Sequence, residues 1–141
     1  MAEDPYRAFN FALLIEGVNA GGFVECNGLG ADVDVIAYRE AGANQGIRHL
    51  PGQVRFRPLT LRYGLTRSRE IWNWFQGAVT GEPERRNISV VMFESDGATE
   101  AFRWNLYDAW VSAWRGAKLD AATNEAAIDS VTIVYDRVER D

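Results

Sequence analysis

Hydrophobic and polar residues alternate along most of the chain, and this pattern predicts short β-strands. In Ala8–Glu16 every second residue is apolar, so Phe9, Phe11, Leu13 and Ile15 share one face. In Ala31–Arg39 the residues Val33, Val35 and Ala37 share one face, and Asp32, Asp34, Ile36 and Tyr38 share the other. The same pattern predicts strands at Phe23–Asn27, Gln53–Arg57, Leu59–Tyr63, Asn87–Glu94, Thr99–Tyr107, Ala109–Trp114 and Glu125–Val138.

One segment has helical spacing instead. Its apolar residues recur every three or four positions, at Ile71, Trp74, Phe75 and Ala78. Thr66 or Ser68 is the expected cap of its first turn, and Gly77 or Gly81 is the expected end. Because Trp72, Trp74 and Phe75 cannot all face a single core, we expect this helix to be covered on more than one side, between sheets or between subunits.

Two polar stretches, Glu40–Gly52 and Gly116–Asn124, lack a strand pattern and are expected to be long loops. The Asp96-Gly97 pair between two alternating runs predicts a hairpin turn. Seven to nine strands and one helix, with no linker or repeat, predict a single domain over residues 1–141. The predicted fold is mainly β, with two packed antiparallel sheets forming a β-sandwich or barrel beside one α-helix.

Composition narrows the class of function. A net charge of −5 disfavours general binding to nucleic acid or to an anionic membrane, which requires a basic surface. The acidic start resembles no secretory signal, and the single Cys26 cannot form an internal disulfide, so we expect a reducing compartment such as the cytoplasm. Five tryptophans are many for a chain of this length and favour either a tightly packed core or an interface.

Candidate chemistry is sparse. Cys26 and His49 lack a third catalytic partner, and a buried cysteine with an exposed loop histidine explains them better. Asp32 and Asp34 point to the same strand face, which suits either a carboxylate pair or, more simply, a solvated surface. The middle of the chain is rich in arginine and the acidic residues lie mostly elsewhere, a separation that suits head-to-tail association as well as scattered surface charge.

Several blocks match a known family in their order and spacing. They are Asp4–Phe11, Gly22-Phe23, Gly28-Leu29, Tyr38–Glu40, Leu50–Gly52, Leu59–Leu61, Gly64–Thr66, Ile71–Phe75, Arg85–Val90, Trp104–Leu106 with Trp110, and Asn124–Ile128. Together they cover nearly the whole chain, which resembles the tail tube proteins of contractile phage tails, R-type pyocins and extracellular contractile injection systems. The charged end of the chain, Asp136–Asp141, departs from this pattern.

The resemblance implies a fold similar to the haemolysin-coregulated protein and a structural role without catalysis, cofactor or metal. It implies rings of six copies that stack into a hollow tube, which a contracting sheath drives through a target envelope. The expected partners are further copies of the chain, a sheath protein, a baseplate or tube initiator, and a tape-measure protein or luminal cargo, with no membrane anchor. The expected place of assembly is the bacterial cytoplasm, before incorporation into a virion or release as a phage tail-like particle.

The same resemblance places ring-to-ring contacts in the Glu40–Gly52 loop and in the N-terminal segment. The expected contact residues are Tyr6, Arg7, Arg39, Glu40, Asn44, Arg48, His49 and Leu50. Asp32 and Asp34 are expected to face the lumen, where negative charge would keep polar cargo from sticking. Two alternatives stay open: a baseplate-proximal initiator or adaptor of the same machine, and a small β-barrel protein that binds a ligand.

Overall fold

The computed structural model describes residues 11–16, 23–39, 46–65, 67, 69–122, 124 and 126–141. Within these ranges the fold is mainly β, with one helix and two antiparallel sheets. The elements are β1 (Phe11–Ile15), β2 (Phe23–Asn27), β3 (Gly30–Tyr38), β4 (Arg48–Arg57), β5 (Leu59–Gly64), α1 (Glu70–Val79), β6 (Arg86–Phe93), β7 (Glu100–Arg115), β8 (Ile128–Val134) and β9 (Arg137–Arg140).

The larger sheet has seven strands in the order β1-β6-β7-β8-β5-β2, and β9 also pairs with β7. One hydrophobic core contains buried side chains from both halves of this order, such as Leu13 of β1 and Leu61 of β5. The sheet must therefore curl so that its two halves face each other across the core. The larger sheet and the helix that packs on it are called the body below. The smaller sheet is the two-stranded β3–β4 hairpin, which is separate from the sheet of the body.

Strand β7 is longer and more continuous than its sequence indicates. The predicted strands Thr99–Tyr107 and Ala109–Trp114 are one strand of 16 residues. The predicted break lies at Asp108, where φ is +56° and the register with β6 shifts. The Asp108 N–H donates to Asn87 Oδ1 at 3.3 Å, so the interruption is a bulge within the strand.

The last predicted strand, Glu125–Val138, is divided instead. β8 pairs with β5 and β7, whereas β9 pairs with a different part of β7. The break falls at Tyr135 and Asp136, and the Asp136 N–H donates to the Tyr107 carbonyl at 3.0 Å. In β8 the alternate residues Asp129, Val131 and Ile133 are buried, and the residues between them are partly buried, so one face lies in the core and the other is only partly covered.

The predicted helix is present as α1 and packs against β7. Its N-cap position holds Arg69, which makes no side-chain cap bond, and the proposed caps Thr66 and Ser68 lie outside the described residues. Of the two expected endpoints, Gly81 is the one used: its φ is +87°, and Gly77 lies inside the helix. Trp72 contacts Trp114 of β7 with ring centroids 5.0 Å apart, so the helix is covered by the sheet.

Candidate functional site

The β3–β4 hairpin is the most exposed regular structure among the described residues. Its strands pair from Gly30 opposite Arg57 to Tyr38 opposite Arg48. β4 therefore begins at Arg48, and the prediction that Glu40–Gly52 is a loop is wrong for its last five residues. Pro51 and Gly52 belong to the predicted loop, but the ladder passes them at a register shift where β4 holds one extra residue. Gly52 fits there because a Cβ would lie 3.1 Å from the Asp34 carbonyl oxygen.

One face of the hairpin is apolar and open to solvent. Val33 lies opposite Val54, and Val35 lies opposite Pro51. These valines are 49–68% exposed, which is far above the exposure of core valines in the same chain. An exposed apolar face of this kind is a candidate surface for contact with another protein. The sequence pattern had placed Val33, Val35 and Ala37 on one face, but it gave no sign that the face is uncovered.

The opposite face carries an arginine–aspartate ladder. Arg57 donates to both carboxylate oxygens of Asp32, with Nε–Oδ2 at 2.7 Å and Nη2–Oδ1 at 3.2 Å. Arg55 Nη2 lies 3.2 Å from Asp34 Oδ2. The two carboxylates predicted to share a face do share it, but arginine compensates each charge. They do not form the free carboxylate pair that acid–base catalysis or a metal would require.

The Arg57 contact lowers the pKa of Asp32, with the hydrogen bond as the main cause and the charges of Arg57 and Arg55 adding to it. Because the pKa of Asp32 is lower in the folded chain, the ion pair stabilises the fold at pH values above the ordinary pKa of aspartate. This stabilisation is lost as the pH falls through the lower pKa of the folded chain. All four side chains are exposed, however, and surface ion pairs contribute little. The ladder therefore adds little to the stability of the hairpin.

The variant Arg57→Gln is expected to raise the pKa of Asp32 back toward its ordinary value, because the bidentate contact is lost. Carboxyl chemical shifts followed by NMR during an acid titration measure this directly. Asp96 is the control: backbone and side-chain bonds from Thr99 and the Ala98 N–H hold its pKa at about 2, and none of them involves Arg57. An unchanged Asp32 titration in the variant would contradict the assignment.

The far end of the hairpin gathers part of the predicted contact set. Arg48, His49 and Leu50 lie at the start of β4, opposite Tyr38, Ala37 and Ile36 respectively. Arg39 follows β3 directly, and all of these residues are exposed. The other predicted contact residues, Tyr6, Arg7, Glu40 and Asn44, lie outside the described residues. Sequence reasoning missed the exposed apolar residues beside them: Val33, Val35, Ile36, Tyr38, Ile47 and Val54.

The described residues that could serve in catalysis or metal binding lie apart from one another. Cys26 is partly buried in β2, and this burial, with the Glu25 charge adding to it, raises the pKa of its thiol to about 11. His49 lies seven residue pairs from the hairpin base, roughly 23 Å along the strands, so the fold separates the two residues. Within the described ranges no three His, Cys, Asp or Glu side chains gather as metal ligands would.

The arginines of the middle of the chain are mostly paired within the molecule. Besides Arg55 and Arg57, Arg62 lies 3.7 Å from Glu25, Arg85 lies 3.5 Å from Asp136, and Arg86 lies 3.0 Å from Glu84. The charge separation seen along the sequence is therefore largely cancelled in space. Apolar contact, rather than opposite charge, is the stronger argument for association.

No helix among the described residues is long and apolar enough to cross a membrane.

Comparison with solved structures finds close matches over the whole chain. A chain from the sheath/tube terminator of PVC, an extracellular contractile injection system, superposes with a TM-score of 0.89 at 25% identity, covering 100% of this chain and 99% of that one. A chain from the PVC sheath–tube complex gives 0.87 at 25% identity, with coverage of 99% and 93%. Hcp1 from Flavobacterium johnsoniae gives 0.55 at 15% identity, with coverage of 92% and 93%, which shows a similar fold.

Comparison with curated protein sequences finds no match. The model of the T4-like virus tail tube protein gp19 family, by contrast, matches residues 7–139. These matches support a structural tube subunit and do not favour either alternative, the initiator or the ligand-binding protein. The open hairpin, with its uncovered apolar face, is in keeping with a protein that assembles. The chain belongs to the T4-like virus tail tube protein gp19 family.

Proposed function

We propose that six copies of the chain form a ring, that rings stack into a hollow tube, and that the β3–β4 hairpin makes the contacts between copies. The exposed apolar face of the hairpin carries this proposal. A two-stranded ribbon is marginally stable in water, and burying its apolar face on a second copy would stabilise both. The number six comes from the family resemblance. The tube acts mechanically, without a catalytic reaction.

The two faces of the hairpin suit different surroundings. The apolar face, with Val33, Val35 and Val54, packs on a neighbouring copy, while the ladder of Asp32 and Asp34 with their arginines faces the water of the lumen. Because each aspartate is paired, the lumen wall is close to neutral at this point and not strongly negative. Ring-to-ring contacts lie at the far end of the hairpin, at Arg39, Arg48, His49 and Leu50, and continue into Tyr6, Arg7, Glu40 and Asn44.

The remaining partners follow from the machines to which the similar structures belong. Those structures are parts of a sheath/tube terminator and of a sheath–tube complex. We therefore infer a sheath around the tube. A baseplate or initiator at one end and a tape-measure protein or cargo inside are proposed from the family resemblance alone. Assembly takes place in the bacterial cytoplasm, and the finished tube belongs to a virion or a released phage tail-like particle.

The variant Val35→Glu tests the proposal. A charge in the centre of the apolar face has to be desolvated on contact, so rings and tubes are expected to disappear while the subunit stays folded. Negative-stain electron microscopy and a sizing column measure assembly, and circular dichroism measures folding.

The matched control is Leu119→Glu, which introduces the same charge at a side chain that is even more exposed, in the loop after β7. This variant is expected to form rings and tubes like the native chain. If Val35→Glu also assembles like the native chain, the hairpin is not the contact surface.

A further inference from the structure

The β3–β4 hairpin joins the body through two short connections. Gly28 and Leu29 link β2 to β3, and Pro58 links β4 to β5. Neither β3 nor β4 pairs with any other described strand. The direction in which the hairpin leaves the body therefore depends on a few contacts at its base.

Tyr135 supplies the most direct of these contacts. Its hydroxyl donates to the Arg57 carbonyl at 2.6 Å, and the Gly30 carbonyl lies 3.4 Å away. Gly30 and Arg57 are opposite each other in the first pair of the hairpin ladder. A single hydroxyl thus reaches both strands at the point where they leave the body. The hydroxyl has one hydrogen, so the shorter contact with Arg57 is the main bond.

The body holds Tyr135 firmly. Its side chain is 7% exposed and belongs to the hydrophobic core, directly after the last residue of β8. Its ring also contacts Phe56 of the hairpin, with centroids 5.9 Å apart. Burial raises the pKa of Tyr135, so the hydroxyl keeps its proton and remains a donor throughout the neutral range. The residue connects the core to both strands of the hairpin.

We infer that Tyr135 is a positioning residue for assembly: its hydroxyl fixes the angle between the hairpin and the body, so that the apolar face of the hairpin meets the neighbouring copy. This inference rests on the proposed role of the hairpin as the contact surface. A subunit without the hydroxyl keeps its core and its ladder, but its hairpin samples several directions. The hairpin of each copy must then be fixed in one direction when it contacts its neighbour, which costs conformational entropy.

Tyr135→Phe removes the hydroxyl and keeps the ring. The concentration needed for assembly is expected to rise about two- to tenfold, the range that corresponds to the net contribution of one buried hydrogen bond. Tyr63→Phe is the matched control, because Tyr63 is equally buried and also bears a hydroxyl, but it lies in β5 and not against the hairpin. This control is expected to assemble at the native concentration even if its thermal midpoint falls.

A distance measurement separates positioning from general stability. Spin labels at Gln53→Cys on β4 and Asn73→Cys on α1, in a Cys26→Ser background, report the angle of the hairpin by electron paramagnetic resonance. The distances are measured on unassembled subunits, below the concentration at which rings form, because contact with a neighbouring copy would itself order the hairpin. The distance distribution is expected to be narrow in the native chain and in Tyr63→Phe, and broader in Tyr135→Phe. An equally narrow distribution in Tyr135→Phe, or assembly at the native concentration, overturns the inference.

The result for Val35→Glu keeps the two proposals apart. If Val35→Glu abolishes assembly and Tyr135→Phe has no effect, the hairpin is the contact surface but Tyr135 does not position it. If Val35→Glu assembles like the native chain, the proposed contact surface itself is wrong, whatever Tyr135→Phe does. Loss of assembly in Val35→Glu, a higher assembly concentration in Tyr135→Phe and native behaviour in Tyr63→Phe together support both.

Discussion

Replacing Trp74 with alanine is expected to lower the free energy of unfolding by about 3–5 kcal/mol, the usual cost of emptying a buried tryptophan site. Trp74 is 2% exposed and is the buried residue of α1. Its indole N–H donates to the Glu84 carbonyl at 2.6 Å, and the Arg86 guanidinium lies 5.4 Å from the ring centroid. The variant therefore leaves a cavity and an unpaired carbonyl where the helix meets the sheet. Urea unfolding followed by far-ultraviolet circular dichroism measures the loss.

Trp72→Ala is the matched control on the same helix. Trp72 is 40% exposed, and its main described contact is the edge-on pair with Trp114. Losing an aromatic pair of this kind costs about 1 kcal/mol beyond the loss of buried area. Because Trp72 is only partly buried, its total loss is expected to stay below that of Trp74→Ala. Equal losses in the two variants would show that burial of Trp74 is not what holds the helix to the sheet. Trp74→Phe should fall between them, since it keeps most of the packing and loses the hydrogen bond.

The second large effect is expected from Gly28→Ala, at the junction between the body and the hairpin. Gly28 has a φ of +95°, and a Cβ there would lie 2.5 Å from the Pro58 carbonyl oxygen. A left-handed conformation costs an alanine about 1–2 kcal/mol, and the backbone contact adds about 1–3 kcal/mol, so a loss of about 2–5 kcal/mol is expected. Urea unfolding measures this loss as a lower midpoint, with the dependence of the free energy on urea concentration unchanged from the native chain.

Gly97→Ala separates the two causes. Gly97 has a φ of +73°, but nothing lies within 4 Å of its ideal Cβ position. It therefore incurs the conformational cost without the collision, and about 1–2 kcal/mol is expected. A loss in Gly28→Ala no greater than this would show that the Pro58 contact relaxes freely and does not fix the junction.

Local pattern predicted a large part of the fold. Alternation located β2, β3 and β5 to within a residue, and the Asp96-Gly97 pair correctly marked the turn between β6 and β7. The helix was found from its apolar spacing. These features depend on residues close together in the chain, which a sequence displays directly.

The errors arose where distant residues decide the outcome. Pro51 and Gly52 were placed in a long loop, yet pairing with β3 continues β4 through them. Asp108 read as a break in β7, yet Asn87 satisfies its backbone as a bulge. The long final strand divides because its parts pair with different strands. In each case the partner that stabilises the conformation lies far away in sequence.

The candidate site follows the same rule. The resemblance placed contacts at Arg39, Arg48, His49 and Leu50, and the hairpin brings the described ones together at its far end. The exposed apolar face formed by Val33, Val35 and Val54 could not be identified in advance. The alternation predicts that these residues share a face, but it does not show whether another part of the fold covers that face. Nor could the arginine partners of Asp32 and Asp34 be identified, since their pairing requires the register of β3 and β4.

The place of β8 in the sheet has a consequence for how the chain folds. β8 lies between β7 and β5, although Ile128–Val134 follows both of these strands in the sequence. Until it leaves the ribosome, the facing edges of β5 and β7 have no partner from this strand. Folding must therefore wait for contacts between residues far apart in sequence, which is slow, and unpaired edges invite premature association. A newly made subunit completes the middle of its larger sheet only after β8 has been synthesised.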